Sequence, residues 1–436
     1  MIKKLSSIDA DFDRQLSDLL AMPDENTGDV KDIVRKIIDD VKLRGDQSVL
    51  ELTNKFDRMD VASISELEIS KDTMAQALTR LDPLVVDALK LSIDRVRVYH
   101  QEQLKALGGN SQWQIEDDEG NKLGQIIRPM ERVGLYVPGG KASYPSSVIM
   151  TSVPARVAGV SEIVLMVPTP DGVVSDTLVA AAHLCGVDRM FRVGGAQAIA
   201  ALAYGTQSIP RVDKIVGPGN IFVATAKELV FGQVGIDMVA GPSEIAIVAD
   251  MSADPEWLAM DMFAQAEHDE LAQSILISSD QSVLDAVEKE IARMLPGMER
   301  SATISQSLKD RGALIKVETL DQAFDIVNRI APEHLELAIL EPEQMLPQIR
   351  FAGAIFLGHH SGEVVGDYTA GPSHVLPTSG TARFASPLGV YDFQVRSSVV
   401  NCSARGAITL SRSAAILATQ EGLEAHSKSA QYRLLG

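Results

Sequence analysis

From about residue 133 onwards, short apolar segments alternate with helical ones, and this repeat constrains the fold more than any other feature. Residues 162–167 are predicted to form a buried strand, because Ile163 to Val167 is an unbroken apolar run. Residues 176–185 are predicted to form a helix, which Gly186 is placed to end. Repeated strand–helix units of this kind build a parallel sheet with right-handed crossovers. We therefore predict an α/β fold.

The repeat divides into two units of similar size, which suggests a duplication. In the first unit, strands are predicted at 134–137, 162–167, 189–193 and 214–216, each followed by a helix. In the second unit, strands are predicted at 244–249, 274–277, 313–317 and 354–357, with helices beginning at Pro255 and near 281–294, 320–331 and 343–350. A chain of 436 residues is also too long for a single compact core, which agrees with two or three domains.

The segments on either side of the repeat differ from it. Residues 1 to about 105 are predicted to be mainly helical, including 29–42 and 82–107, with a possible strand in 57–69 and His100 on the surface. After about residue 385 the chain becomes a tail that ends in a helix at 408–429. The predicted regions are therefore 1–132, 133–238, 239–385 and 386–436.

Composition excludes several classes of protein. A net charge of −19 disfavours a nucleic-acid partner, whose phosphates require lysine and arginine. The longest apolar stretches are too short to cross a bilayer, and the N-terminus has no secretory signal, so no membrane partner is expected. Two cysteines, Cys185 and Cys402, are too few for a disulfide framework, and Cys185 is expected in the core. The expected compartment is a reducing cytoplasm.

Three polar clusters, at 265–268, 332–336 and 366–378, indicate an enzyme. Glu333 and His334 place a carboxylate beside an imidazole, the pairing that moves protons at successive steps. Gln265 and His268 lie three apart on the helix that begins at Pro255, so both are expected to project from one face. An imidazole and an amide oxygen can bind zinc, but in isolation such a pair is more often structural. No H-E-x-x-H or C-x-x-C motif is present.

The polar run at 366–378 and two glycine turns leave their roles open. Asp367 is expected in a loop after strand 354–357, where parallel sheets bind ligands, although an Asx-turn is the simpler reading. His374 could likewise bind a ligand or serve only in a turn or in packing. The pair His359 and His360 is predicted to face solvent. The turns at 193–196 and 216–220 join strands to helices whose free N–H groups can hold phosphate, but neither matches G-x-G-x-x-G.

Taken together, these residues resemble the histidinol dehydrogenase family from about residue 28 to the C-terminus. The segments that carry the resemblance are 134–140, 193–200, 216–220, 240–244, 264–268, 331–335, 366–368 and 374–378. The resemblance implies two incomplete Rossmann-like domains, of which the first binds NAD and the second holds the metal and catalytic residues. It also implies a homodimer that intertwines through its C-terminal tail.

The resemblance implies a role for each site residue. One zinc ion per subunit would be held by Gln265, His268, Asp367 and His426, the last serving the partner's active site. The acid/base pair would be Glu333 and His334. Substrate contacts would be made by the zinc ligands together with Ser243, His334 and Glu421. NAD contacts would be made by Tyr136, Gln197 and Asn220.

The implied reaction is the four-electron oxidation of L-histidinol through L-histidinal to L-histidine. Zinc has no redox role, so electrons would leave as hydride to NAD, with His334 as base and Glu333 activating the hydration water. Three alternatives stay open: a related dehydrogenase for another small alcohol, a zinc hydrolase, and a nucleotide-binding protein without activity. Ser243 and Glu421 favour histidinol.

Overall fold

The computed structural model describes residues 2–21, 27–109, 111–139 and 143–435. Gly140, which ends the predicted segment 134–140, lies outside the described residues. Within these ranges the strands are β1 (Lys3–Ser6), β2 (Glu68–Ile69), β3 (Gln112–Glu116), β4 (Lys122–Pro129), β5 (Arg132–Tyr136), β6 (Glu162–Met166), β7 (Arg189–Phe191), β8 (Lys214–Val216), β9 (Gly235–Ile236), β10 (Glu244–Ala249), β11 (Gln273–Ser278), β12 (Ala313–Lys316), β13 (His334–Ala338), β14 (Ala354–Leu357) and β15 (Gln394–Asn401).

The same ranges contain the α-helices α1 (Phe12–Leu20), α2 (Thr27–Arg44), α3 (Asp46–Phe56), α4 (Ile64–Leu67), α5 (Lys71–Leu78), α6 (Pro83–Ala106), α7 (Pro145–Ala158), α8 (Asp176–Leu184), α9 (Gly195–Tyr204), α10 (Ile221–Val230), α11 (Pro255–Ala266), α12 (Gln281–Met294), α13 (Ser301–Asp310), α14 (Leu320–Ile330), α15 (Glu363–Tyr368), α16 (Ala404–Gln420) and α17 (Glu424–Tyr432). Short 3₁₀ helices lie at Pro170–Gly172, Leu295–Gly297, Pro342–Gln348, Thr381–Arg383 and Val390–Phe393. None of the described helices is both long and apolar enough to span a lipid bilayer.

Two six-stranded sheets with the same strand order confirm the predicted α/β class. The first has the order β2-β7-β6-β5-β8-β9, and the second has the order β1-β12-β11-β10-β13-β14. All neighbouring strands in both sheets run parallel except β2, which pairs antiparallel with β7. The shared order agrees with the duplication that the sequence suggested.

Each sheet is covered on both faces, which explains its unbroken apolar strands. In β6, Ile163 and Leu165 enter one core cluster while Val164 and Met166 enter the cluster on the opposite face. Strand β10 divides its side chains between two clusters in the same way. Each fully buried leucine or isoleucine stabilises such a core by about 1.5–3 kcal/mol.

The C-terminal tail is more elaborate than predicted. Strand β15 pairs antiparallel with β4, and β4 pairs with β3, to form a third sheet that the sequence analysis missed. The predicted helix at 408–429 is divided into α16 and α17 at Gly422, whose φ of 72° lies in the left-handed region. The two helices pack on each other, and Ser427 Oγ donates to the carbonyl of Ala415 at 3.1 Å.

The N-terminal region is mainly helical but contributes to both sheets. Strand β1, which was not predicted, forms the edge of the second sheet beside β12. Helix α6 begins as expected, with Asp82 accepting a hydrogen bond from the Leu84 amide at 2.8 Å. The placement of His100 on the surface was wrong: the side chain is fully buried, with Nδ1 2.8 Å from the Val96 carbonyl oxygen.

Candidate active site

A cavity of about 260 Å³ lies where loops of the two α/β units meet, and it contains most of the candidate residues. Pro138 and Tyr144 line it from the first unit. From the second unit it is lined by Ser243, His268, Glu333, His334, Glu363, Asp367 and His374. The predicted clusters therefore come together, although they are far apart in sequence.

Glu333 and His334 are held by the backbone of one residue, Glu244. The parallel register of β10 and β13 sets Ile245 opposite His334, which brings Glu244 beside the pair. The amide of Glu244 donates to Glu333 Oε2 at 2.8 Å. The carbonyl oxygen of Glu244 lies 3.0 Å from His334 Nδ1. Because Glu333 and His334 are both buried, these contacts fix the direction in which each side chain faces.

The hydrogen bond at Nδ1 selects the tautomer of His334. A carbonyl oxygen can only accept, so Nδ1 carries the proton and Nε2 carries a lone pair. Nε2 is buried without a hydrogen-bond partner among the described residues, and it lies 4.0 Å from Asp367 Oδ1. Burial lowers the pKa of His334 to about 3. The imidazole is therefore neutral and presents a free base to the cavity.

Three acidic side chains lie within 4.0 Å of this imidazole, those of Glu333, Glu363 and Asp367, and Glu244 contacts it through its backbone. Burial, followed by neighbouring negative charge, raises the pKa of Glu333 and of Glu363 well above the ordinary range of a carboxyl group. Burial also raises the pKa of Glu244 to about 7 and that of Asp367 to about 6. Burial and mutual repulsion disfavour the ionised forms of these carboxyl groups, so a cationic ligand that offsets the repulsion would be stabilised beside them.

Glu363 is a site residue that the sequence analysis missed. Its Oε1 lies 3.2 Å from His334 Nδ1, and the side chain is buried in the first turn of α15. One ligand atom each from His334, Glu363 and Asp367 lie within 4.8 Å of one another, a spacing that could hold a metal ion. The i, i+4 spacing of Glu363 and Asp367 on a short helix was the available sequence signal.

Gln265 and His268 reach the site differently from the prediction. The expectation that both project from one helix face was wrong, because α11 ends at Ala266 and His268 lies in the turn beyond it. Gln265 is fully buried, with its amide nitrogen directed at Glu363 Oε1 (3.0 Å) and at the Glu244 carbonyl oxygen (3.3 Å). His268 is exposed and lines the cavity directly.

Asp367 and His374 are linked to each other. The prediction of a loop for Asp367 was wrong, because this residue lies in the last turn of α15. His374 Nδ1 lies 3.1 Å from the Asp367 carbonyl oxygen, and Nε2 lies 3.3 Å from Ser147 Oγ. Both partners of His374 are protein atoms, so it packs against the site and positions Asp367.

The donor set of this chain fits a zinc ion in part. His268 and Asp367 supply an imidazole and a carboxylate, which are accepted zinc ligands, and Gln265 supplies an amide oxygen. His426 and Glu421 do not line the cavity; they are exposed on α17 and at the end of α16. His426 of this chain is therefore not placed to bind an ion in this cavity, whose lining also contains the ligand-type side chains of Glu333, His334, Glu363 and His374.

A second cavity, of about 570 Å³, lies at the carboxyl ends of the first sheet and adjoins the first cavity at Pro138. The three residues predicted to contact the cofactor, Tyr136, Gln197 and Asn220, all line it. The amide of Gly195 donates to Tyr136 Oη at 3.1 Å. Asn220 Oδ1 caps α10, accepting from the amides of Phe222 (3.1 Å) and Val223 (3.2 Å).

Three details of this cleft suit a dinucleotide. The buried Oε1 of Gln197 has no hydrogen-bond partner among the described residues, so a donor on a ligand would satisfy it. Gly217 has φ of 113°, and a Cβ there would overlap the carbonyl of Tyr136. The turn therefore requires glycine, and it brings the backbone close to the cleft. The N-terminus of α9 opens at the same place, where its N–H groups can bind phosphate.

Comparison with known proteins gives one consistent result. The family model described as histidinol dehydrogenase matches residues 20–434. A histidinol dehydrogenase of Pseudomonas aeruginosa is 56% identical over 434 residues, covering 100% of this chain and 98% of that protein. One from Burkholderia lata is 56% identical over 433 residues, covering 99% of each. The crystal structure of the Elizabethkingia anophelis histidinol dehydrogenase is similar with a TM-score of 0.92 and 31% identity, covering 99% of this chain and 98% of that one.

Proposed function

The chain belongs to the histidinol dehydrogenase family, and on that premise we propose which of its residues perform each step. The protein is a zinc-dependent, NAD-linked oxidoreductase that converts L-histidinol through L-histidinal to L-histidine, the last oxidations of histidine biosynthesis. One observation carries the assignment of roles: the Glu244 backbone orients Glu333 and a neutral His334 toward one cavity.

Substrate and zinc are proposed to occupy the 260 Å³ cavity. Gln265, His268 and Asp367 would hold the ion together with His426 from a second copy of the chain. When bound there, zinc would supply a Lewis acid that helps to hold the substrate. Ser243, which lines the cavity, and Glu421 from the second copy would complete the contacts with the substrate.

The first oxidation is proposed to use His334 as the base. Its Nε2 accepts the hydroxyl proton of histidinol while a hydride leaves the carbinol carbon for the nicotinamide of NAD. The products of this step are histidinal, NADH and one proton on His334. The unpartnered lone pair of Nε2 supports this role, because nothing in the described protein must be displaced before the proton is taken.

The second oxidation is proposed to begin with Glu333. It removes a proton from water as the oxygen attacks the aldehyde carbon, and the protonated His334 returns its proton to the aldehyde oxygen to give the hydrate. The hydrate then loses a hydride to a second NAD while His334, neutral again, accepts the hydroxyl proton. Because burial raises the pKa of Glu333, this carboxylate, once ionised, is a stronger base than one in water.

NAD is proposed to occupy the 570 Å³ cleft, with Tyr136, Gln197 and Asn220 as contacts. Its pyrophosphate would lie at the N-terminus of α9. Its nicotinamide would extend past Pro138, which lines both cavities, toward the substrate. The first NADH must leave before the second NAD can enter, because both would occupy the one described cleft that adjoins the substrate cavity.

The active enzyme is proposed to be a homodimer that exchanges its C-terminal tails. The α16–α17 hairpin exposes apolar side chains that a partner would cover: Leu410, Ile416, Leu417, Leu423 and Tyr432. Glu421 and His426 lie on the same hairpin, so a partner that covers it would receive both. The proposed regions are those predicted from sequence, with β1 added to the second unit. Both cysteines are free, which supports a cytoplasmic compartment.

A stoichiometric assay tests this function. Purified enzyme is given zinc, limiting histidinol and excess NAD, and NADH is measured by its absorbance. Two NADH should form per histidinol, with histidine as the product. One NADH per histidinol would contradict the proposed second oxidation. No NADH with histidinol, but NADH with another small alcohol, would favour a related dehydrogenase.

A further inference from the structure

The cofactor cleft has an unusual charge distribution. Among the described residues that line it, Asp57 is the only charged one, and the others are apolar, glycine, or neutral polar residues. A dinucleotide carries two phosphate charges, yet no lysine or arginine faces it in this lining. Among the described lining groups, backbone N–H groups are the ones that can bind the phosphates, while the one carboxylate would face an uncharged part of the ligand.

Asp57 is built firmly into the wall of the cleft. It follows the last residue of α3, and it is 7% exposed. The amide of Thr169 donates to Asp57 Oδ2 at 3.2 Å, and the amide of Asp171 donates to the Asp57 carbonyl oxygen at 2.7 Å. No described residue donates a hydrogen bond to Oδ1. A carboxylate fixed through one oxygen keeps the other available to a ligand.

The nearest cation is turned away from the cleft. Arg58 forms a two-pronged ion pair with Asp171, through Nε at 2.7 Å and Nη2 at 2.6 Å. Both residues have φ in the left-handed region, 53° and 59°, and both line a neighbouring cavity instead of the cofactor cleft. Arg58 is therefore paired with Asp171, and Asp57 stays the only charged side chain among the described residues that line the cofactor cleft.

The residues that share the cleft with Asp57 indicate the part of the ligand. Pro138 lines both cavities, so it marks the end that the nicotinamide must reach. Asp57 lines the cofactor cleft and not the substrate cavity, as do the apolar side chains Ile33, Ile37 and Phe56 of the N-terminal helices, which suit an adenine ring. The group between adenine and pyrophosphate is the adenosine ribose, whose two hydroxyls can both donate.

We propose that Asp57 selects NAD over NADP by accepting hydrogen bonds from the adenosine ribose and repelling a 2′-phosphate. This inference rests on the proposed placement of NAD in the cleft. In the usual dinucleotide fold, an acidic residue about 20 residues after the glycine turn binds the ribose, whereas an arginine accommodates the phosphate. Here the acidic residue comes from a separate helical region, before the first sheet begins.

The test compares both cofactors on wild-type enzyme and on Asp57→Asn, with saturating histidinol. The variant keeps an oxygen for the Thr169 amide, so the loop should stay folded. The charge-assisted hydrogen bonding to the adenosine ribose is lost, so kcat/KM for NAD should fall about 10- to 100-fold, mainly through KM. The preference for NAD over NADP should shrink by at least the same factor. Asp60→Asn, an exposed neighbour outside the cleft, is the matched control and should change neither value.

A measurement on wild-type enzyme keeps the test decisive if the variant does not fold. ADP-ribose and its 2′-phosphate are compared as competitive inhibitors against NAD. The inhibition constant of ADP-ribose should be at least about 100-fold lower than that of the 2′-phosphate. An unchanged preference in Asp57→Asn, or equal inhibition by the two compounds, would overturn the role of Asp57 while leaving the proposed function intact. Failure of wild-type enzyme to form NADH from histidinol and NAD would instead overturn the proposed function, and this inference with it.

Discussion

The two α/β units share one strand order but present opposite chemistry at the carboxyl ends of their strands. The first unit has glycine turns, free helix N-termini and a single carboxylate in its cleft. The second has a cavity with one imidazole nitrogen that no described residue bonds, and several buried carboxyl groups. Since the sheets correspond, the difference lies in the loops that follow the strands. One scaffold, used twice, thus provides a cofactor site and a proton-transfer site.

Replacing the base of the second unit should have the largest effect. His334→Ala should lower kcat for histidinol by about 10²- to 10⁴-fold, because proton removal loses its positioned acceptor. Zinc content should stay at the wild-type level by metal analysis, since His334 is not a proposed ligand. His360→Ala, at an exposed histidine, is the control. Turnover of His334→Ala near the wild-type rate would contradict the role of His334 as the base, and with it the proton-transfer role of the second unit.

Altering the neighbouring carboxylate should separate the two oxidations. Glu333→Gln keeps an acceptor for the Glu244 amide but cannot activate water, so oxidation of supplied histidinal should slow by about 100-fold. Conversion of histidinol to histidinal should slow much less. Stopped-flow absorbance with each substrate measures both rates, with the exposed Glu343→Gln as control. Equal slowing of the two steps would show that Glu333 has no separate role in hydration.

Mixing variants tests whether the second unit is completed by another chain. His426→Ala alone and His334→Ala alone should each be nearly inactive. Equal amounts, unfolded and refolded together, should regain roughly a quarter of wild-type activity, since half the dimers carry one intact site of two. Activity is followed as NADH formation before and after mixing. Mixtures without any recovery would indicate that one chain supplies every site residue.

The smallest effect is expected in the first unit. Gln197→Ala removes one buried acceptor, so KM for NAD should rise about 2- to 12-fold with little change in kcat. Steady-state kinetics at saturating histidinol measure both parameters. Gln207→Ala, a glutamine remote from the cleft lining, should behave as wild type. A fall in kcat without a change in KM would move Gln197 from cofactor binding to the chemistry.

Local patterns predicted much of the fold. Four strands in each unit and the helices begun by Asp82-Pro83 and Asp254-Pro255 were correctly placed, because capping and apolar periodicity act over a few residues. Strands β9 and β13 of the two units were not predicted. Strands β3, β4 and β15 were missed, since their side chains are largely exposed and they are held by pairing between distant segments. His100 was misplaced because its burial depends on packing against a distant part of the chain, including residue Leu388.

The site shows the same limit. Motifs identified Glu333, His334 and Asp367, but the role of Glu244 depends on the register of β10 and β13, which one sequence does not reveal. Glu363 was missed because α15 was predicted as a loop, so its spacing from Asp367 carried no meaning. The roles of His426 and Glu421 depend on a second chain, and they stay predictions.

Location of the metal tests the comparison of the two units most directly. A crystal structure of the zinc-loaded enzyme, with anomalous scattering measured at the zinc edge, should show one ion per subunit. The account predicts ligand distances of about 2.0–2.2 Å to Gln265, His268 and Asp367, with His426 of the partner subunit as the fourth ligand. An ion held instead by His334, Glu363 and Asp367 of a single chain would contradict it, because His334 could not then be the free base.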